Sequence, residues 1–295
     1  MRRFPFVTVD VFTASRFGGN QLAVFPDARG LSDAEMQSLA AEMNYSETTF
    51  VLPPDDPANT ARVRIFHRTA EMPFAGHPNV GTGYVLAAQA ANGANALRFE
   101  EIAGLVEVRI ARDADGHPTG AEIDAPQPLE ILETLPSAAI AACLGLSPAH
   151  VVTTTHGPVR ASVGVDFVLV EIVEDAIARA APDLTAYRRL AGTDLTAAER
   201  LSILLYSRNG NRIHARMFAP LSGTWEDPAT GSANATLGAL LLSFTDEDSA
   251  AFVVSQGAEM GRPSILHVTA RRTAEGIRAS VGGGCVPVLT GEAQL

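Results

Sequence analysis

Two segments of the chain repeat the same pattern, and this repetition constrains the fold more than any other sequence feature. The first reads E-M-P-F-A-G-H-P-N-V-G-T-G from Glu71, and the second reads E-D-P-A-T-G-S-A-N-A-T-L-G from Glu226. They share Glu, Pro, Gly, Asn and Gly at identical offsets, and each follows an alternating strand pattern led by arginine. Self-similarity of this kind is the signature of a repeated structural unit. We interpret it as an internal duplication that produces two similarly built halves.

Each segment opens a run of small and apolar residues, over 78–91 in the first half and 235–242 in the second. A helix that is apolar all round must be surrounded by protein. A strongly curved antiparallel sheet wrapped around the helix would bury it, and each half supplies enough strands. We therefore predict an α/β (α+β) fold with two pseudo-symmetric halves, each a curved, mostly antiparallel sheet around a central apolar helix.

The repeat also predicts where the halves divide. The first half would cover 1–125, with its central helix starting near residue 77. The second would cover 126–295, with its central helix starting near residue 232 and a terminal strand that can cross back to the first half.

Three further helices are predicted outside the repeat. Ser32 and Glu35 form a capping box, S-D-A-E, at the start of a helix over 32–43. Two short helices are predicted over 183–190 and 196–201.

Composition excludes several classes of function. The net charge is −11, which opposes binding to nucleic-acid phosphates and to anionic membranes. All 22 basic residues are arginine, so enzymes that need a lysine amine, such as Schiff-base enzymes and P-loop nucleotidases, are excluded. Cys143 and Cys285 form no CxxC pair, and we place Cys285 in a glycine-rich turn. No stretch is long enough to span a bilayer, and we expect a cytoplasmic protein.

Cofactor motifs are missing from the sequence as well. The seven histidines form no HExxH motif and no close pair, and no GxGxxG or GxSxG motif is present. We therefore expect neither a metal nor another cofactor. What remains is acid–base chemistry by carboxylate and imidazole groups.

The two helix starts are the candidate binding elements. Gly76 with His77 opens the first helix, and Gly231 with Ser232 opens the second. Helix N-termini offer free N–H groups and positive partial charge, which attract anions. We expect the two starts to face each other and to bind one small carboxylate. The alternative is that both glycines are only turn residues.

Two carboxylates and the imidazole are the candidate catalytic groups. They are Glu47, which precedes an apolar strand, His77, and Asp227, which precedes Pro228. Each has a structural alternative: Glu47 could be an exposed turn carboxylate, His77 a core histidine, and Asp227 a helix cap.

Six sequence blocks, in order along nearly the whole chain, resemble the PhzF-like (phenazine biosynthesis) family. They are D-V-F-T from Asp10, G-N-Q-L-A-V-F from Gly19, N-Y-S-E-T-T-F-V from Asn44, A-E-M-P-F-A-G-H-P from Ala70, E-D-P-A-T-G-S-A from Glu226 and Q-G-A-E-M-G-R-P-S from Gln256. The resemblance implies a diaminopimelate-epimerase-like fold and a homodimer. It also implies isomerisation of trans-2,3-dihydro-3-hydroxyanthranilate by proton movement without a cofactor.

The same resemblance assigns roles to individual residues. The proton-carrying glutamate of the family falls on Glu47, and its site glycine and histidine fall on Gly76 and His77. Its aspartate and helix-start serine fall on Asp227 and Ser232.

Three hypotheses of function follow from these observations. The first is a cofactor-independent isomerase that acts on a small carboxylate. The second is a strict epimerase or racemase of an amino-acid-like substrate, and the third is a non-catalytic ligand-binding protein that retains the fold.

Overall fold

The computed structural model describes residues 1–90, 93–193 and 201–295. The chain divides into two compact units. Unit 1 contains Met1–Pro126 and Val281–Leu295, and unit 2 contains Gln127–Ser280. Most of the helix predicted over 196–201 falls outside the described residues.

Among the described residues, unit 1 contains eight complete strands and two helices, and the last strand of the chain returns to it. The elements are β1 (Arg3–Val11), β2 (Asn20–Phe25), α1 (Asp33–Met43), β3 (Glu47–Leu52), β4 (Ala61–His67), β5 (Glu71–Met72), α2 (Gly76–Gln89), β6 (Ala96–Glu101), β7 (Gly104–Arg112), β8 (Pro118–Asp124) and β17 (Gly276–Gln294).

Eight of these strands form a closed ring. The order of pairing is β1, β2, β3, β4, β6, β7, β8, β17 and back to β1. The β2–β3 and β4–β6 pairs are parallel. Helix α2 packs against β1, β2, β3, β7 and β8, so its residues are buried on nearly every side.

Unit 2 follows the same sequence of pairings. Its elements are β9 (Glu130–Thr134), α3 (Ser137–Cys143), β10 (Val159–Ser162), β11 (Asp166–Glu171), α4 (Glu174–Ile177), α5 (Leu184–Ala191), β12 (Ile203–Asn209), β13 (Arg212–Ala219), β14 (Thr224–Asp227), α6 (Gly231–Ser243), β15 (Ser249–Gln256) and β16 (Ser264–Thr273). The β11–β12 and β13–β15 pairs are parallel, as β2–β3 and β4–β6 are in unit 1. Helix α6 is the buried counterpart of α2.

These observations confirm the predicted fold class. Both central helices begin one residue before the predicted positions, at Gly76 and Gly231. Helix α1 has the predicted capping box, in which the Ser32 side chain accepts from the Glu35 amide and the Glu35 side chain accepts from the Ser32 amide.

The expected turn around Cys285 is wrong, because β17 continues through it. A Cβ atom at Gly120 would lie 2.0 Å from the main-chain oxygen of Gly283. Glycine permits this close approach of two backbones. The glycine run therefore serves strand packing, where the sequence suggested a chain reversal.

Equivalent ion pairs mark the repeat in three dimensions. The guanidinium of Arg64 binds both carboxylate oxygens of Glu71 at 2.6 Å, and Arg216 binds both of Glu226 at 2.8 and 2.9 Å. Each arginine also lies over the phenylalanine two residues later in the chain, at 5.1 Å for Arg64 and 4.9 Å for Arg216. We use Arg64 and Arg216 as reference positions when comparing the two units.

Candidate active site

The structure brings Glu47 and His77 together inside unit 1. Glu47 is the first residue of β3, and His77 is the second residue of α2. The distance between Glu47 Oε2 and His77 Nε2 is 3.4 Å, and their side chains are 14% and 7% exposed. The reading of Glu47 as an exposed turn carboxylate therefore does not fit its position.

A buried hydrogen bond fixes the helix against the strand at this point. Thr49 Oγ1 lies 2.8 Å from Thr82 Oγ1, which joins β3 to α2. Thr49 is two residues after Glu47, and Thr82 is five residues after His77. The two candidate side chains are thus held by elements whose relative position is set by the packed interior of unit 1.

His77 is neutral in this environment. Burial lowers the pKa of the ring to about 3, and a hydrogen bond with the main chain of Gln21 opposes this shift. Nε2 makes no hydrogen bond of normal geometry, so the contact with Gln21 falls to Nδ1. A proton on Nδ1 leaves the lone pair of Nε2 directed at the Glu47 side of the site.

The start of α2 supplies main-chain donors next to this pair. The N-cap residue is Ala75, whose side chain cannot accept a hydrogen bond from the first helical amides. Asn79 instead donates from Nδ2 to the Ala75 carbonyl oxygen at 3.1 Å. Gly76 has no side chain that would block approach to these amides, and an anion can be bound there.

Sequence reasoning gave no role to two buried polar residues, Asn20 at the start of β2 and Asp10 on β1. Asn20, which is 2% exposed, accepts a hydrogen bond at 3.1 Å from Ser46, the neighbour of Glu47. Asp10 accepts a hydrogen bond at 2.6 Å from the main-chain amide of Phe17. Both lie in blocks that carry the family resemblance, D-V-F-T and G-N-Q-L-A-V-F, and this was the available signal.

The remaining predicted residues lie in unit 2. Asp227 ends β14, and Gly231 and Ser232 open α6. The hydroxyl of Thr230, the N-cap residue of α6, donates to Asp227 Oδ2 at 2.6 Å. Asp227 and Gly231 are buried, and Ser232 is partly exposed. Joint binding of one ligand by the two helix starts stays a prediction.

Gln256 organises the start of α6 and was also missed. Its Nε2 donates to the Asp227 carbonyl oxygen at 2.8 Å and to Thr230 Oγ1 at 3.1 Å. Its Oε1 accepts from Asn234 Nδ2 at 2.8 Å and from the Thr230 amide at 3.2 Å. The side-chain amide thus uses both its donor and its acceptor, and only a group with both can replace it.

Among the described residues, one group has the spacing to hold a metal ion, namely Asp113, Asp115 and His117 in the turn between β7 and β8. All three are exposed, and exposed acidic groups of this kind are common without an ion. In the described part of the chain, no helix combines the length and the apolar character needed to cross a membrane.

Several known proteins are similar to this chain over nearly its whole length. The family model of phenazine biosynthesis-like proteins matches residues 9–291. An uncharacterized isomerase of Mesorhizobium japonicum is 39% identical, and the match covers 99% of both chains. A trans-2,3-dihydro-3-hydroxyanthranilate isomerase of Pseudomonas fluorescens is 34% identical over 95% of this chain and 96% of its own length.

The chain belongs to the phenazine biosynthesis-like, or PhzF-like, family.

The PhzF-like fold is shown independently by a solved structure. A PhzF-family phenazine biosynthesis protein from Bacillus anthracis superimposes with a TM-score of 0.88 at 24% identity, and the match covers 100% of both chains. Because the PhzF-like relatives are named isomerases, this chain is an isomerase. The blocks that contain Glu47, His77 and Asp227 are among those that carried the resemblance.

Proposed function

We propose that this PhzF-like protein is a cofactor-independent isomerase that moves a proton on a small carboxylate resembling trans-2,3-dihydro-3-hydroxyanthranilate. The observation that supports this most directly is the 3.4 Å contact between Glu47 and a buried imidazole at the start of a buried helix. The isomerase of Pseudomonas fluorescens with that named substrate, at 34% identity, supports the substrate class.

In the proposed mechanism, Glu47 carries the proton. Its carboxylate removes a proton from a substrate carbon, and the resulting carboxylic acid returns that proton to another carbon of the conjugated system. The bond to hydrogen breaks at the first carbon and forms at the second, so no oxidant or reductant is needed. One carboxylate can perform both steps when its environment brings its pKa close to the working pH.

His77 supports this step as a neutral group. Its ring stays uncharged because burial lowers its pKa to about 3, so it does not hold Glu47 in the ionised form as a cation would. The lone pair of Nε2 can accept a hydrogen bond from the protonated Glu47 or from a polar substituent of the substrate.

The helix starts would bind the substrate carboxylate. Gly76 in unit 1 and Gly231 with Ser232 in unit 2 present main-chain N–H groups, and Ser232 adds a hydroxyl donor. Asp227 would hold an amino or hydroxyl substituent with the help of the Thr230 hydroxyl. A homodimer is a further prediction of the resemblance, and a cytoplasmic location is a prediction from the sequence.

The test is the variant Glu47→Gln, assayed with trans-2,3-dihydro-3-hydroxyanthranilate in D₂O. We expect turnover and deuterium incorporation to fall by at least about 10²-fold, the usual range for loss of a general base. The matched control is Glu42→Gln, which changes an exposed glutamate of α1 in the same way and is expected to keep full activity. Unchanged deuterium incorporation in Glu47→Gln would remove Glu47 from the mechanism.

A further inference from the structure

The strand registers make Glu101 the counterpart of Gln256. In each unit, the residue two positions before the reference arginine pairs in parallel with a residue of the neighbouring strand. The paired residues are Arg62 with Glu100 in unit 1 and His214 with Ser255 in unit 2. The next residue of β6 is Glu101, and the next residue of β15 is Gln256. The repeat thus puts a carboxyl group where unit 2 has a primary amide.

The asparagine that each of them faces is also equivalent. Asn234 Nδ2 donates to the N-cap carbonyl oxygen of α6, that of Thr230, at 2.9 Å. Asn79 Nδ2 makes the same bond to the N-cap carbonyl oxygen of α2, that of Ala75, at 3.1 Å. In unit 2 the amide of Gln256 completes this arrangement by accepting from Asn234. In unit 1 the side chain in contact with Asn79 is Glu101.

Glu101 lacks the partners that a buried carboxylate requires. Both of its carboxylate oxygens are buried and make no hydrogen bond of normal geometry, and the same holds for Asn79 Oδ1. Burial raises the pKa of Glu101 to about 8, and contact with Asn79 opposes this shift. An ionised carboxylate in such a place costs free energy that a neutral carboxylic acid does not.

Among the described residues, no charged neighbour causes the raised pKa of Glu101. The titratable residues on the elements around Glu101 are Arg98 and Glu100 on its own strand, Arg62, Arg64 and His67 on β4, Glu71 on β5, Glu107, Arg109 and Arg112 on β7, and His77 and Tyr84 on α2. Glu100 accepts hydrogen bonds from the amides of residues 55 and 56 and from Asn59, and Glu71 is bound by Arg64. None of them contributes to the pKa of Glu101, whose causes are burial and Asn79 alone.

We propose that Glu101 is a positioning residue that acts as a neutral carboxylic acid in the place of the Gln256 amide and holds the start of α2, and with it His77. The neutral acid has one acceptor and one donor, as a primary amide does. In this proposal its carbonyl oxygen would accept from Asn79, and its O–H would take the place of Nε2 of Gln256, which donates to the loop before the helix. Ionisation removes the donor and leaves a buried charge, which loosens the helix start.

This proposal predicts an alkaline limit to activity, and in that respect it rests on the proposed function. As the pH rises through about 8, Glu101 ionises and His77 loses its fixed position relative to Glu47. For a single ionising group, kcat/KM falls about tenfold per pH unit above the pKa. The effect is expected mainly in kcat, because the pair that carries the proton is displaced.

The test compares wild type with Glu101→Gln and Glu101→Ala, and uses Gln256→Glu as the reciprocal variant. Glu101→Gln is permanently neutral and should retain wild-type turnover at pH 7 while losing the fall in kcat above pH 8. Glu101→Ala should lose turnover at all pH values. Gln256→Glu should acquire a fall in stability with rising pH that the wild-type residue cannot cause.

Two measurements need no substrate and separate this proposal from the proposed function. In infrared spectra at pH 7, wild type should show a protonated-carboxyl band that is absent in Glu101→Gln and that disappears above pH 8. In urea unfolding, Glu101→Gln should match wild type near pH 4 and be more stable than wild type above pH 8. A merely structural role predicts the opposite, a loss of stability at every pH. Absence of the infrared band would overturn the proposal, and so would a fall in kcat above pH 8 that is unchanged in Glu101→Gln. An inactive wild type that shows the band would overturn only the isomerase assignment.

Discussion

The central helices are so tightly enclosed that a single added methyl group should destabilise the folded protein. At Gly83 of α2, a Cβ atom would lie 2.5 Å from Cγ1 of Val108 on β7. At Gly238, the counterpart in α6, it would lie 2.5 Å from Cγ1 of Val268 on β16. Ordinary contacts begin near 3.4 Å, so about one ångström of overlap must be relieved in each unit.

Two opposing terms decide the sign of Gly83→Ala. Alanine in a helix interior is favoured over glycine by about 1 kcal/mol. Overpacking of a filled core costs about 1–3 kcal/mol, and this site belongs at the upper end. Val108 is fully buried and β-branched, so its side chain cannot rotate away from the new methyl group. We expect Gly83→Ala to lower the free energy of unfolding by about 1–2 kcal/mol.

The assay is urea unfolding followed by circular dichroism in a double-mutant cycle with Val108→Ala. Once Val108 is shortened, Gly83→Ala should become stabilising, with a coupling energy of about 2 kcal/mol. The control is Gly192→Ala, where φ is −79° and the nearest atom to a new Cβ is Arg188 O at 3.4 Å. We expect no change beyond about 0.5 kcal/mol there. The reasoning is refuted if Gly83→Ala stabilises wild type or has the same effect in both backgrounds.

Two further predictions concern acid sensitivity and metals. The pKa of His77 is about 3 in the folded protein and 6.5 for the free side chain. Between these pH values the unfolded chain binds one more proton than the folded chain, so the free energy of unfolding falls as the pH drops from 6.5 towards 3. The slope from this group is on the order of 1.4 kcal/mol per pH unit, and His77→Gln should remove it while His117→Gln, at an exposed site, should not. Isomerase activity should survive exhaustive dialysis against a chelator, and loss of activity that a metal restores would contradict the cofactor-independent mechanism.

Much of the scaffold could be predicted because its causes are local in sequence. The capping box of Ser32 and Glu35, the apolar runs and the repeated E-x-P-x-x-G pattern each depend on neighbouring residues. The central helices were therefore located to within one residue. Glu47 and His77 could be named as candidate catalytic residues because they lie in distinctive blocks, and the structure shows that they are neighbours.

The residues that were missed depend on strand register. Gln256 and Glu101 reach the helix starts only because β15 pairs in parallel with β13 and β6 with β4, across more than 30 residues of chain. Neither belongs to the repeated segments, so periodicity gives no signal for them. The neutral state of His77 was equally hidden, since it follows from burial inside unit 1 and burial of a polar residue is not encoded locally.

The repeat also bears on the choice between isomerisation and strict epimerisation. Register relative to the reference arginines pairs Phe50 with Arg64 and Leu205 with Arg216, so the counterpart of Glu47, three residues earlier, is Ser202. The counterpart of His77 is Ser232. An epimerase that works with equivalent bases on two faces would need matched acid–base groups at equivalent places, and here a carboxylate and an imidazole have serines as their counterparts. At a third position the acidic group lies in unit 2, because Asp227 has Met72 as its counterpart in unit 1. The duplicated scaffold keeps its structural contacts in both units while its chemistry has diverged, and this favours proton transfer by one carboxylate, Glu47, over exchange between two equivalent bases.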